Sequence, residues 1–322
     1  MYRTEHGTIC LKNEPESFRE FFEEIGPFPK EGRPMILIAD SPKIIIDYRT
    51  RAALLKFMMS LPYSFGPPNI LPPILFVEKK YFYQLRQSHP DWLGIFCDIQ
   101  GKVFANIDYF RHPQFAGKDC RPELVHEMNH AKILGSCIAK IEPNDKEKFH
   151  QFRRRYLFKH RPVALEEAAA CSHALYAVGK YDHRSKEPWK SQGAMAHQVW
   201  EVYKQRVKQE SFTPIWQLSR EHFASVSQGT TPPMEHPHYI DAIGFGFLMI
   251  DFFSKNPGFL NGTFKVDAHE VLIHMLVDYY LSSFQRFKDN KSSISFGEYF
   301  EQRFGTEWNS LCEQIYKHAD WN

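Results

Sequence analysis

The chain has 322 residues, 43% hydrophobic and 24% charged, with Lys+Arg 40 against Asp+Glu 38 and a net charge of +2. These values lie near the globular average and exclude a collagen, a coiled-coil rod and a mostly disordered chain. So even a charge balance argues against a dedicated nucleic-acid binder, and nucleic acid is not expected as a partner.

Residues 1–118 read as a mixed α/β subdomain. Helices are predicted over 14–25, 49–60 and 79–88. Short β-branched or apolar runs at 35–39, 43–47 and 74–77 read as strands. Runs at 95–99 and 103–107 flank Gln100-Gly101, a hairpin signal. Beyond residue 118 the pattern turns helical, with helices predicted over 122–138, 146–158, 163–178, 193–207, 239–254, 268–287 and 296–318. The expected organisation is a mixed N-terminal subdomain, 1–118, and a helical subdomain, 119–322, joined as one continuous unit of α+β class.

The six cysteines are scattered and form no C-x-x-C pair, so they read as reduced, buried thiols. The N-terminus shows no basic-then-apolar signal region. The longest apolar run, 242–253, is interrupted by Asp251 and falls short of the roughly 20 residues that span a bilayer. The expectation is a chain without a membrane partner, cytoplasmic or exported by a signal-peptide-independent route.

Chemistry concentrates at His126-Glu127-Met128-Asn129-His130, an H-E-x-x-H sequence. On a helix, positions i and i+4 share a face one turn apart, so both imidazoles can reach one zinc ion at about 2.0–2.1 Å. Glu127 projects beside them, placed to take a proton from a zinc-bound water. Pro122 suits the first turn of such a helix and Asp119 could cap it. A second segment, His269-Glu270-Val271-Leu272-Ile273-His274, has the spacing H-E-x-x-x-H. On a regular helix that spacing sets its imidazoles about 140° apart, so it is assigned to helix packing.

A catalytic zinc takes a third protein ligand. The best candidates lie in Pro162-Val163-Ala164-Leu165-Glu166-Glu167-Ala168-Ala169-Ala170-Cys171, a Pro-initiated helix with two carboxylates and small residues that permit close helix approach. Here the chain resembles the gluzincin branch of the zincin metallopeptidases, which pair an H-E-x-x-H helix with a glutamate ligand on a later helix. The resemblance covers roughly residues 95–255. It points to Glu167 as the third ligand, with Glu166 as second choice. His160 or His173 as a third nitrogen ligand is a further alternative. Many gluzincins carry Asp four residues after the ligand; here Cys171 stands there, and Asn129, His173 or a backbone carbonyl could orient a histidine instead. The sequence excludes the metzincin pattern, because positions 133 and 136 hold Ile and Ser where Gly and His are needed.

The resemblance further implies a zincin-like fold, with the 95–107 hairpin as the strand that holds a peptide substrate. It also implies an oxyanion donor near residues 234–246, with Tyr239 first, then His238 and His236. Residues 148–161 carry six Lys or Arg interleaved with aromatics and read as an amphipathic helix with a solvated basic face. Cys120 as a latent zinc cap has no second support. The function this implies is a zinc metallopeptidase acting on a protein or peptide, with Zn2+ as cofactor, and an endopeptidase of narrow specificity rather than an exopeptidase. A non-catalytic, zincin-like zinc-binding interaction protein is the alternative.

Overall fold

The computed structural model describes short strand segments upstream of residue 107 and residues 121–153, 161–223, 236–259, 266–319 and 321. The helices predicted over 14–25, 49–60 and 79–88, Asp119, Cys120 and His160 lie outside the described residues. The chain divides into two units, Met1–Gly135 and Ser136–Asn322.

In the first unit, the described strands are β1 (Tyr2–Arg3), β2 (Ile9–Leu11), β3 (Ile36–Ala39), β4 (Ile74–Val77), β5 (Ile95–Cys97) and β6 (Val103–Asn106). They pair in the order β1-β2-β3-β4-β6-β5, and β5 runs antiparallel to β6. Strands in globular proteins usually have about five or six residues. From Arg121 onward no strand occurs among the described residues, and the interpretable part is all-helical, 76% helix against 1% strand. This corrects the expected α+β, zincin-like class. The paired segments have only two to four residues each and supply none of the described helical body.

Helix α1 (Arg121–Lys140) begins in the first unit with Pro122 in its first turn and Glu123 facing the positive end of its dipole. Leu124, Met128, Ala131 and Ile138 recur at helical spacing and are buried. Its last turns belong to the second unit. There Cys137 is fully buried, and its thiol donates to the Val277 carbonyl at 3.8 Å.

The second unit continues with α2 (Lys146–Phe152), α3 (Val163–His183), α4 (Met195–Lys208), α5 (Pro237–Lys255), α6 (Val271–Lys288), α7 (Phe296–Phe304) and α8 (Trp308–Lys317). One helix was predicted over 296–318. Gly305, at φ 69°, ends α7 in the left-handed conformation and splits that span in two. Ser295 opens α7 with a capping box: its hydroxyl accepts from the Glu298 N–H, and Glu298 accepts from the Ser295 N–H.

Helix α5 is the centre of this unit, with every residue from Tyr239 to Ile250 buried. A helix apolar on all sides needs neighbours on all sides. Two glycines set how close those neighbours come. A Cβ on Gly244 would lie 2.2 Å from the Tyr203 ring of α4, and one on Gly246 would lie 2.4 Å from Ser172 Oγ of α3. The start of α5 is tied by Asp241, whose carboxylate accepts from Arg206 Nε and Nη2, each at 2.8 Å, and from the Thr213 N–H at 2.9 Å. In α2, Phe149 and Phe152 are fully buried against Phe284, which leaves Lys148 beside Asp145 at the surface. No described helix is long and apolar enough to cross a membrane.

Candidate metal centre

The local sequence puts His126 and His130 one turn apart on α1, and their rings meet there. The two Nε2 atoms are 3.1 Å apart, with ring centroids at 4.6 Å and planes at 83°. A tetrahedral zinc with Zn–N bonds of about 2.0–2.1 Å separates two ligand nitrogens by about 3.3–3.4 Å. The pair is therefore close to the spacing that a shared ion requires. Glu127 Oε1 is 3.8 Å from His126 Nε2, and both side chains are partly open to solvent, 17% for His126 and 19% for Glu127.

The two neighbouring carboxylates on α3 have different surroundings. Glu166 is held by Arg161, whose Nε and Nη2 both contact its Oε2. Glu167 lies on α3 in the second unit, whereas His126 and His130 lie on the part of α1 that belongs to the first. Two imidazole nitrogens and a carboxylate oxygen are a donor set that suits zinc. The helix that carries Glu167 starts at Val163 after Pro162, and Ala164, Ala168, Ala169 and Ala170 are all buried. With no side chain beyond Cβ at these positions, neighbouring helices can approach its backbone closely.

His236, His238 and Tyr239 gather at the start of α5 instead. Tyr239 packs edge-on against Phe223 at 5.0 Å, and His238 packs edge-on against His222 at 4.6 Å. His236 is the N-cap residue, its ring centroid 5.4 Å from that of His238. Burial holds both histidines below the usual imidazole range, and for His238 the neighbouring His222 and His236 add to the effect. A neutral imidazole at neutral pH can still donate one N–H.

A second constellation went unread in the sequence. His269 and Glu270 lie in a 3-10 turn, Ala268–Glu270, ahead of α6, not on a regular helix. With His173 of α3 they form a group whose ligand atoms lie within 4.8 Å of one another, and His274 is not part of it. Residues 269–274 are not one regular helix, and the partner of His269 in this group, His173, lies far from it in the sequence.

No family model, no curated protein and no solved structure matches the chain.

Proposed function

We propose that the chain is a zinc-dependent peptidase, with His126, His130 and Glu167 holding the metal and Glu127 as general base. The convergence of the His126 and His130 Nε2 atoms at 3.1 Å, beside the Glu127 carboxylate, carries this reading. A zinc ion held there would supply Lewis acidity and bring the pKa of a water down to about 7. Glu127 would take the proton from the attacking water and return it to the leaving amine. Partial exposure of His126 and Glu127 leaves the reacting face accessible to a peptide chain. Tyr239, followed by His238, is the proposed donor to the developing oxyanion. The pairing of Glu166 with Arg161 supports Glu167 over its neighbour as third ligand.

A second reading, zinc binding without turnover, gains support from the all-helical architecture, which differs from the zincin pattern that the motif suggested. Zinc content by plasma mass spectrometry and hydrolysis of a mixed peptide library separate the two. On the peptidase reading, His126→Ala loses one zinc equivalent and all turnover, and Glu127→Gln keeps the zinc and loses turnover. Zinc lost in His126→Ala with no cleavage by the parent protein selects the binding reading. Unchanged zinc content in His126→Ala refutes both.

A further inference from the structure

We infer that His173, His269 and Glu270 form a second, structural zinc site inside the helical unit. This inference is independent of the reading of the first site. All its residues lie between Ser136 and Asn322.

The donor set is again two imidazoles and one carboxylate, with one ligand atom from each within 4.8 Å of the others. Unlike the first group, it is closed to solvent: His173 is 0% exposed, His269 6% and Glu270 0%. A divalent cation at this position would meet the carboxylate and both ring nitrogens together. A structural zinc takes four ligands, so a fourth donor would complete these three.

His269 and Glu270 occupy the last two positions of the 3-10 turn, and their ligand atoms nevertheless fall together with that of His173. His173 approaches from α3. The His269 ring is stacked on His173 at a centroid distance of 5.2 Å and on Tyr176 at 4.6 Å, with interplanar angles of 26° and 20°. Stacking on both partners fixes the ring plane, which gives a metal site preset ligand directions. A metal there would tie the start of α6 to the middle of α3, joining elements about 100 residues apart in the chain.

The test is zinc content and cobalt(II) absorption for the full-length parent, His126→Ala and His269→Ala, all purified without a His tag. The inference expects two metals in the parent and one in each variant. The metal left in His126→Ala should resist brief EDTA treatment, and its slow removal should lower the melting midpoint by about 5 °C or more. Where His269→Ala fails to fold, Glu270→Gln in the His126→Ala background replaces it; circular dichroism checks its fold, and the remaining cobalt band should be lost. One metal in the parent that disappears in His126→Ala overturns this inference and leaves the proposed function standing. One metal that survives in His126→Ala and disappears in His269→Ala supports this inference and overturns the first site. No metal after reconstitution overturns both.

Discussion

Gly246→Ala should destabilise the helical unit by about 2 kcal/mol, although alanine is the better helix former. The added Cβ would stand 2.4 Å from Ser172 Oγ, 2.5 Å from Ser172 Cβ and 2.8 Å from the Ala168 carbonyl oxygen. Optimal carbon contacts are about 3.5–4.0 Å, so each of these is short by more than about 0.5 Å. Ser172 cannot swing aside without losing its 2.6 Å bond to that same Ala168 carbonyl. The carbonyl is backbone, so α3 and α5 must separate. Overpacking of this kind costs about 1–3 kcal/mol, and the upper end applies where backbone blocks the adjustment. Replacing glycine within a helix returns about 1 kcal/mol, which leaves the net loss near 2 kcal/mol. Urea unfolding followed by tryptophan fluorescence reads it, because Trp189 is stacked on the neighbouring Phe247 at 5.5 Å. Gly297→Ala is the control: its Cβ would meet nothing closer than 3.9 Å, so the change should be neutral or stabilising. The substitution also displaces Ala168, the neighbour of Glu167, so zinc affinity at the first site should fall with stability. A Gly246→Ala protein as stable as the parent would refute the close approach of α5 to α3.

Asp241→Asn leaves Arg206 without its paired carboxylate in a largely buried position, at a cost of about 2–4 kcal/mol in urea unfolding. Arg206→Lys should restore little of that interaction in the Asp241 parent, since one ammonium cannot reproduce the two parallel bonds. His236 and His238 have native pKa values below 6.5, so the unfolded chain binds more protons beneath that pH. Stability is then full above about pH 6.5 and falls as the pH drops toward the native values. Melting curves at pH 7.5 and 5.5 should show this loss, and His238→Gln should reduce it. Glu127→Gln should lower kcat by at least about 100-fold with zinc content unchanged; full activity would remove Glu127 from the mechanism.

What could be read in advance was local. His126 and His130 converge because a spacing of four residues fixes their direction on any helix, whatever surrounds it. The helices at 122–138 and 163–178 were expected close to their observed bounds, Arg121–Lys140 and Val163–His183, because their burial pattern lies in the sequence period. The choice between Glu166 and Glu167 depends on Arg161, five residues before Glu166, whose reach across the helix start cannot be seen in a residue pattern. The second group was hidden for a different reason. His173 and His269 are brought together by tertiary packing, and no spacing rule links residues so far apart. The fold class failed because propensity recognises a strand-like run without showing whether it joins the packed part, which is helical.

The buried thiols give this protein an internal chronometer. Cys137, Cys171 and Cys312 sit on α1, α3 and α8, each at most 3% exposed. Burial pushes the Cys137 thiol up to about 12 and raises that of Cys312 as well, so neither ionises to a reactive thiolate while its helix stays packed. Alkylation at each position therefore waits for its own helix to open, and pulse labelling followed by mass mapping resolves the order of those openings. Cys171 is the informative one. It lies between Glu167 and His173, so its labelling rate records how often the segment bearing a ligand from each candidate site comes loose.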